Sequence, residues 1–63
     1  MRDLNPREFR ITDIDAKPDK HGKYGYTLEW CTETGKFRGQ CFRSDPEQTR
    51  ASMLLNGYSE ALA

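Results

Sequence analysis

Residues 23–43 read KYGYTLEWCTETGKFRGQCFR, and this stretch decides the fold. In its first half, Tyr24, Tyr26, Leu28 and Trp30 alternate with polar or small residues. An alternation with a period of two places one set of side chains on each face of a β-strand. The sequence therefore predicts a strand with one apolar face, followed by a turn and a second strand that complete a β-hairpin.

The turn sets the register of this hairpin. With a two-residue turn at 34–35, Trp30 lies opposite Gly39. A register shifted by one residue would bring Arg38 and Gln40 to the apolar face, and the cost of burying polar groups argues against it. The predicted apolar face consists of Tyr26, Leu28, Trp30, Phe37, Gly39 and Cys41.

Residues 8–13 predict a third strand. Phe9 and Ile11 alternate with charged or polar residues, so both lie on one side of it. This strand flanks the hairpin, and the pattern leaves open which arm it pairs with. An Asn-Pro pair precedes it and favours an extended or turn conformation, so residues 1–7 are predicted to be a loose arm.

The segment after the hairpin predicts an α-helix that begins at Ser44. Its hydroxyl is placed to cap the amide of Glu47, and Pro46 is tolerated in the first turn. Asn56 and Gly57 either end the helix or form a weak point in a helix that runs to the C-terminus. An apolar stripe that stays in phase past this pair favours continuation. The stripe comprises Ala51, Leu54, Leu55, Tyr58, Ala61 and Leu62.

These elements predict one small α+β domain over residues 1–63. Three antiparallel strands form a β-sheet, and one C-terminal α-helix packs on its apolar face. The other face of the sheet is then exposed to solvent. In the predicted register Cys31 and Cys41 lie on opposite faces, with Cys41 in the core and Cys31 partly exposed, which excludes a disulfide between them.

The composition narrows the classes of function. Ten basic and ten acidic residues give a formal charge of zero, so no overall field attracts nucleic acid or a membrane. Residues 21–43 carry four basic against two acidic residues, so the hairpin is the positive part. The absence of a long apolar run predicts a cytoplasmic protein with no membrane partner. With one histidine and no CxxC pair, neither a metal site nor a cofactor is expected.

The exposed face of the predicted sheet is the candidate binding surface. Arg38 and Gln40 offer donors that read base edges, and Thr27 can contact a phosphate or a thymine methyl group. The alternative is a solvated face on which Glu29 pairs with Arg38. The candidate contact residues on this surface and its rim are Lys23, Thr27, Lys36, Arg38, Gln40 and Phe42.

Residues 21–58 resemble the small N-terminal arm-type DNA-binding domain of phage tyrosine recombinases of the lambda-integrase type. The resemblance lies in three features of the sequence: His21-Gly22-Lys23-Tyr24-Gly25-Tyr26, Thr34-Gly35-Lys36, and a polar helix start leading to Ala51 and Asn56. It implies three antiparallel strands on a C-terminal helix, with the sheet entering the major groove of DNA. It also implies the following DNA-facing residues: Lys23, Thr27, Lys36, Arg38 and Gln40.

The sequence thus predicts a non-enzymatic binding module, encoded by a phage or another mobile element, that binds duplex DNA through its exposed sheet face. The alternative is a protein-binding regulator or inhibitor that uses the same face or the sheet edge. Catalysis and a small-molecule substrate are not expected, because the chain has one histidine, no nucleophile elbow and no phosphate-binding glycine loop.

Overall fold

A computed structural model describes residues 4–61 as an α+β fold, as predicted, with one helix and one sheet. In chain order its elements are β1 (Glu8–Thr12), β2 (Tyr24–Cys31), β3 (Phe37–Ser44), α1 (Pro46–Leu55) and β4 (Ser59–Glu60). The strand order in the sheet is β3-β2-β1-β4. The first strand therefore pairs with the tyrosine-rich arm of the hairpin, the choice that the pattern left open.

The sheet has four strands and is mixed, whereas three antiparallel strands were predicted. β4 runs parallel to β1: the Ser59 amide donates to the Arg7 carbonyl at 2.8 Å, and the Ala61 amide donates to the Phe9 carbonyl at 2.8 Å. The extra strand exists because the helix ends early and releases the following residues to the sheet.

The helix ends at Leu55, and the prediction that it continues to the C-terminus was wrong. Gly57 has a φ of +88°, the left-handed conformation that commonly ends a helix. The Gly57 amide donates to the Leu54 carbonyl and the Tyr58 amide donates to the Met53 carbonyl, each at 3.1 Å. These two bonds form a Schellman motif, which turns the chain back toward β1.

The N-cap of the helix is Asp45, one residue after the predicted Ser44. A carboxylate oxygen of Asp45 accepts from the Glu47 amide at 3.0 Å. The Ser44 hydroxyl is instead hydrogen-bonded to the Tyr26 hydroxyl at 2.7 Å. Pro46 lies in the first turn, as predicted, and takes the first position of the helix.

The apolar stripe predicted for the helix does not form the contact with the sheet. Leu54 is 49% exposed and Leu55 is 89% exposed, while Met53 packs against the core. α1 contacts β1 and β4, and the early helix end places Tyr58 on the core from the segment that follows. Leu62 lies outside the described residues.

The hairpin register is shifted by one residue from the prediction. Trp30 lies opposite Arg38, and Leu28 lies opposite Gln40. The cause is a three-residue loop in place of the predicted two-residue turn: the Thr32 amide donates to the Lys36 carbonyl, and Gly35 has a φ of +90°. A type I turn followed by a left-handed glycine is the usual geometry of such a loop.

The shifted register exchanges the faces of β3. Residues directly opposite each other in an antiparallel pair share a face. Arg38, Gln40 and Phe42 therefore lie on the face that carries the helix, together with Tyr26, Leu28 and Trp30. The prediction for the cysteines is also reversed: both lie on the opposite face, with Cys31 buried and Cys41 exposed, and both are free thiols.

The core lies between α1 and the sheet. Phe9 is fully buried, and Tyr26 and Leu28 are 4% and 6% exposed. The half-buried side chains of Ile11, Trp30, Met53 and Tyr58 pack around these three. The charged β3 residues on this face stay exposed because α1 packs over β1 and β4, at the far end of the sheet from β3.

Residues 4–7 are held to the rest of the chain. Leu4 is buried, and the Arg7 amide donates to the Cys31 carbonyl at 2.9 Å. The Asn5 amide also donates to the carboxylate of Glu8 at 2.8 Å. Of the predicted loose arm, residues 1–3 lie outside the described residues. Within residues 4–61, no helix has the length and hydrophobicity that crossing a membrane requires.

Candidate functional site

The outer edge of β3 is the longest unpaired backbone edge in the described part of the chain. β3 has eight residues and pairs with β2 only, and every residue in it except Ser44 is exposed. At the other end of the sheet, β4 has only two residues. Short edge strands are poor templates for a further strand, whereas a long one is a good template. Among the described residues, β3 is therefore the edge that is better able to accept another strand.

The direction of the backbone groups along this edge follows from the hydrogen bonds of the hairpin. Thr32 and Lys36 form a hydrogen-bonded pair at 2.9 Å, and bonded pairs alternate along an antiparallel ladder. The backbone groups of Arg38, Gln40 and Phe42 therefore point toward β2. The backbone groups that point away from β2 belong to Phe37, Gly39, Cys41 and Arg43. We call these outward groups the β3 edge.

An open groove runs between α1 and β3 on the helix face, and we call it the α1–β3 groove. It has a volume of about 270 Å³. Its lining residues are Tyr26, Leu28, Phe42, Ser44, Thr49, Ser52 and Met53. The Tyr26 hydroxyl is hydrogen-bonded to the hydroxyls of Ser44 and Thr49, which satisfies most of the polar lining. The part of the lining that remains free to contact a ligand is consequently mostly apolar.

Phe42 joins the β3 edge to this groove. Its side chain is 37% exposed, and its ring lies 6.0 Å from the ring of Tyr26. Phe37, on the opposite face, is 50% exposed. One exposed aromatic side chain thus stands on each face of the same strand.

The charges near the β3 edge are unevenly paired. Lys36 and Arg38 form no ion pair with any residue in the range 4–61. Arg43, in contrast, lies 3.5 Å from the carboxylate of Asp15 and 3.6 Å from that of Asp19. The end of β3 next to the turn therefore carries uncompensated positive charge.

Asp19 organises the loop that leads into β2. Its carboxylate accepts from the amides of Lys23 and His21, at 2.9 and 2.8 Å. The Lys23 amide contributes most to a lowered pKa of Asp19, against which desolvation acts, and the His21 amide and the Arg43 guanidinium lower that pKa further. Hydrogen bonds to a carboxylate stabilise its charged form.

The face opposite the helix carries charges that neutralise each other. Arg10 donates to the Glu29 carboxylate at 2.5 Å, and both side chains are largely shielded. The Asp15 carboxylate accepts from the Gly25 amide at 3.0 Å. Ion pairs of this kind leave little charge for a phosphate backbone.

The structure separates the six predicted contact residues. Arg38, Gln40 and Phe42 lie on the helix face, and Thr27 lies on the opposite face beside Cys41. Lys36 belongs to the end of the turn, and Lys23 precedes β2 as an exposed residue. They therefore do not form the single surface that the predicted register implied. Glu29 pairs with Arg10, not with Arg38 as the solvated alternative had it.

Sequence reasoning missed Ser52, which lines the α1–β3 groove. It named the sheet edge as an alternative interface but did not identify the outward backbone groups of β3, although Gly35 is a signal for the three-residue loop that sets the register. In the described residues, no group of His, Cys, Asp and Glu side chains is arranged to bind a metal ion.

Comparisons with protein-family models, with curated proteins and with solved structures found no match to this chain. The resemblance to phage tyrosine recombinases therefore stays a prediction.

Proposed function

We propose that this protein is a binding module for an extended polypeptide segment, which adds as a strand to the β3 edge. The observation that carries the proposal is an eight-residue edge strand with outward backbone groups and no neighbour among residues 4–61. Strand addition satisfies these groups through main-chain hydrogen bonds, and side-chain pockets beside the edge supply specificity.

Duplex DNA is a weaker candidate for the same protein. The predicted DNA-facing residues divide between two faces, and the face without the helix holds internally paired charges. A net charge of zero also makes the release of counterions from DNA small. Lys36 and Arg38, which form no ion pair within residues 4–61, support binding of an acidic segment equally well.

Selection of random linear peptides of about twelve residues against the folded chain tests the proposal. Selected peptides should slow amide hydrogen exchange at Phe37, Gly39, Cys41 and Arg43, as measured by NMR. The amides of the intervening residues are already bonded to β2, so their exchange should change little. This alternation distinguishes strand addition from binding elsewhere.

A matched pair of variants at Cys41 provides the control. Cys41→Pro removes an outward amide and leaves the β2–β3 ladder intact, whereas Cys41→Ser keeps the amide. Peptide binding should be lost only in the proline variant, with both variants folded by circular dichroism. Peptides that bind both variants equally, or a selection that enriches no peptide, would contradict the proposal. Slowed exchange that grows with protein concentration alone would identify a second copy as the occupant and would also contradict it.

A further inference from the structure

We infer that the β3 edge selects extended acidic peptides that carry two recognised side chains at a fixed spacing. The peptide runs antiparallel to β3, places an apolar side chain in the α1–β3 groove, and places an acidic side chain four residues later beside Arg38. This inference rests on the proposed function and adds to it the chemical class of the ligand.

The spacing follows from the register of an added strand. Residues opposite Phe42, Gln40 and Arg38 share the helix face with them, because opposite side chains in an antiparallel pair lie on one face. Reading the peptide from its N-terminus, the residue opposite Phe42 comes first, and the residue opposite Arg38 comes four positions later. The peptide residues between them, opposite Cys41 and Gly39, point to the other face.

The groove favours an apolar side chain at the first of these positions. It lies beside Phe42 on the helix face and is lined there by Leu28 and Met53. Its hydroxyl groups are bonded to one another through Tyr26. A volume of about 270 Å³ accommodates an aliphatic or aromatic side chain, and burial of apolar surface stabilises the complex.

Charge favours an acidic residue at the second position. Arg38 is exposed and has no ion pair within the described residues, and Lys36 lies two positions before it, at the end of the turn. Residues 36–44 contain three basic and no acidic side chains. A second copy of β3 would bring these like charges together, so an acidic partner is the better complement.

Four N-acetylated nine-residue peptides on a Thr/Val background test the inference. The first carries Leu and, four residues later, Glu. The others replace this Leu by Ser, replace this Glu by Lys, or reduce the spacing to three, which turns Glu to the other face. Fluorescence anisotropy measures affinity, and amide exchange reports whether the peptide occupies the β3 edge.

The first peptide should bind at least about tenfold more tightly than each of the other three. Ser52→Trp, which fills the groove, should weaken it by a similar factor. Gln48→Trp is the matched control, because Gln48 is exposed on α1 and does not line the groove. Arg38→Glu should reverse the preference between the Glu and Lys peptides, a result that general loss of folding cannot produce.

The possible failures are distinguishable. Equal affinity for all four peptides, with exchange still slowed at the β3 edge, would overturn the ligand class and leave strand addition standing. If no peptide slows exchange at these amides, the inference is overturned, and the peptide selection described above then decides the proposed function separately.

Discussion

Phe9 is the residue on which the core depends most, because it alone among the described side chains is fully buried with a large volume. It packs with Tyr26 and Leu28 under α1. Trp30, predicted to lie on the apolar face opposite Gly39, lies at the margin of this cluster opposite Arg38. The shift of register therefore moves the centre of the core from the hairpin toward β1.

We expect Phe9→Ala to abolish stable folding. Truncating a buried phenylalanine costs about 3–5 kcal/mol, which is comparable to the whole free energy of unfolding of so small a domain. Trp30→Ala should cost less, since its side chain is only partly buried. Urea unfolding followed by circular dichroism compares the two variants. A cooperative transition in Phe9→Ala near that of the unmodified protein would show that the core lies elsewhere.

Asp19 should make folding sensitive to acid. Its pKa is lowered in the folded chain, chiefly by the Lys23 amide, so its contribution to stability is present above the ordinary Asp value of about 3.9 and is lost as pH falls through the lowered pKa. In Asp19→Asn this dependence should disappear, since the amide keeps an acceptor and loses the charge. An NMR titration of the carboxyl carbon measures the pKa directly. Titration at or above the ordinary value would contradict the assignment.

At the scale of the elements, the end of α1 determines the topology. The Schellman motif at Gly57 releases Tyr58 to the core and Ser59–Glu60 to the edge of β1. Arg50 reinforces this arrangement, because its guanidinium donates to Glu60 at 2.7 Å and to Glu47 at 3.1 Å. A helix continuing past Gly57 would lose both the parallel strand and the Tyr58 contact.

Gly57→Ala should lower the free energy of unfolding by about 1–2 kcal/mol, the cost of a left-handed conformation for a residue with a Cβ atom. Gly39→Ala is the control: its Cβ would lie 3.6 Å from the Glu29 Cγ atom, an ordinary contact, and its φ is not positive. Thermal unfolding measures both. Equal midpoints for the two variants would show that the motif does not stabilise the helix end.

For the whole molecule, the balance of charge determines how strongly the protein binds DNA without sequence specificity. Ten basic and ten acidic residues cancel, and several of them pair within the fold. We expect binding to a random duplex to be weak at low salt and undetectable near physiological salt. If Lys36 and Arg38 are the only phosphate contacts, the slope of log K against log salt should be about −2. A steep slope, together with an affinity that falls in Thr27→Ala while the slope stays unchanged, would instead support a DNA contact through the face opposite the helix.

Several features of the fold could be predicted from local sequence. The alternation around Phe9 and Ile11 marked β1, the alternation from Tyr24 to Trp30 marked β2, and Pro46 marked the start of α1. The candidate site was predicted only in part: β3 and its basic residues were identified, but their face was not. The rule that polar groups avoid the apolar face failed because Arg38 and Gln40 can share that face and stay in water, outside the area that the helix covers.

The sequence by itself determined the strands of the hairpin, the strand before it and the position of the helix start, because periodicity and capping act over a few neighbouring residues. Only the tertiary structure decided the register, the helix end and the fourth strand. The register depends on a three-residue loop in place of a two-residue turn, a choice that the pattern of the strands alone does not make. The helix end and the fourth strand depend on a balance between distant groups: a further helical turn against the parallel pairing of Ser59–Glu60 with β1. That balance also left β3 at the edge of the sheet, where the proposed ligand binds.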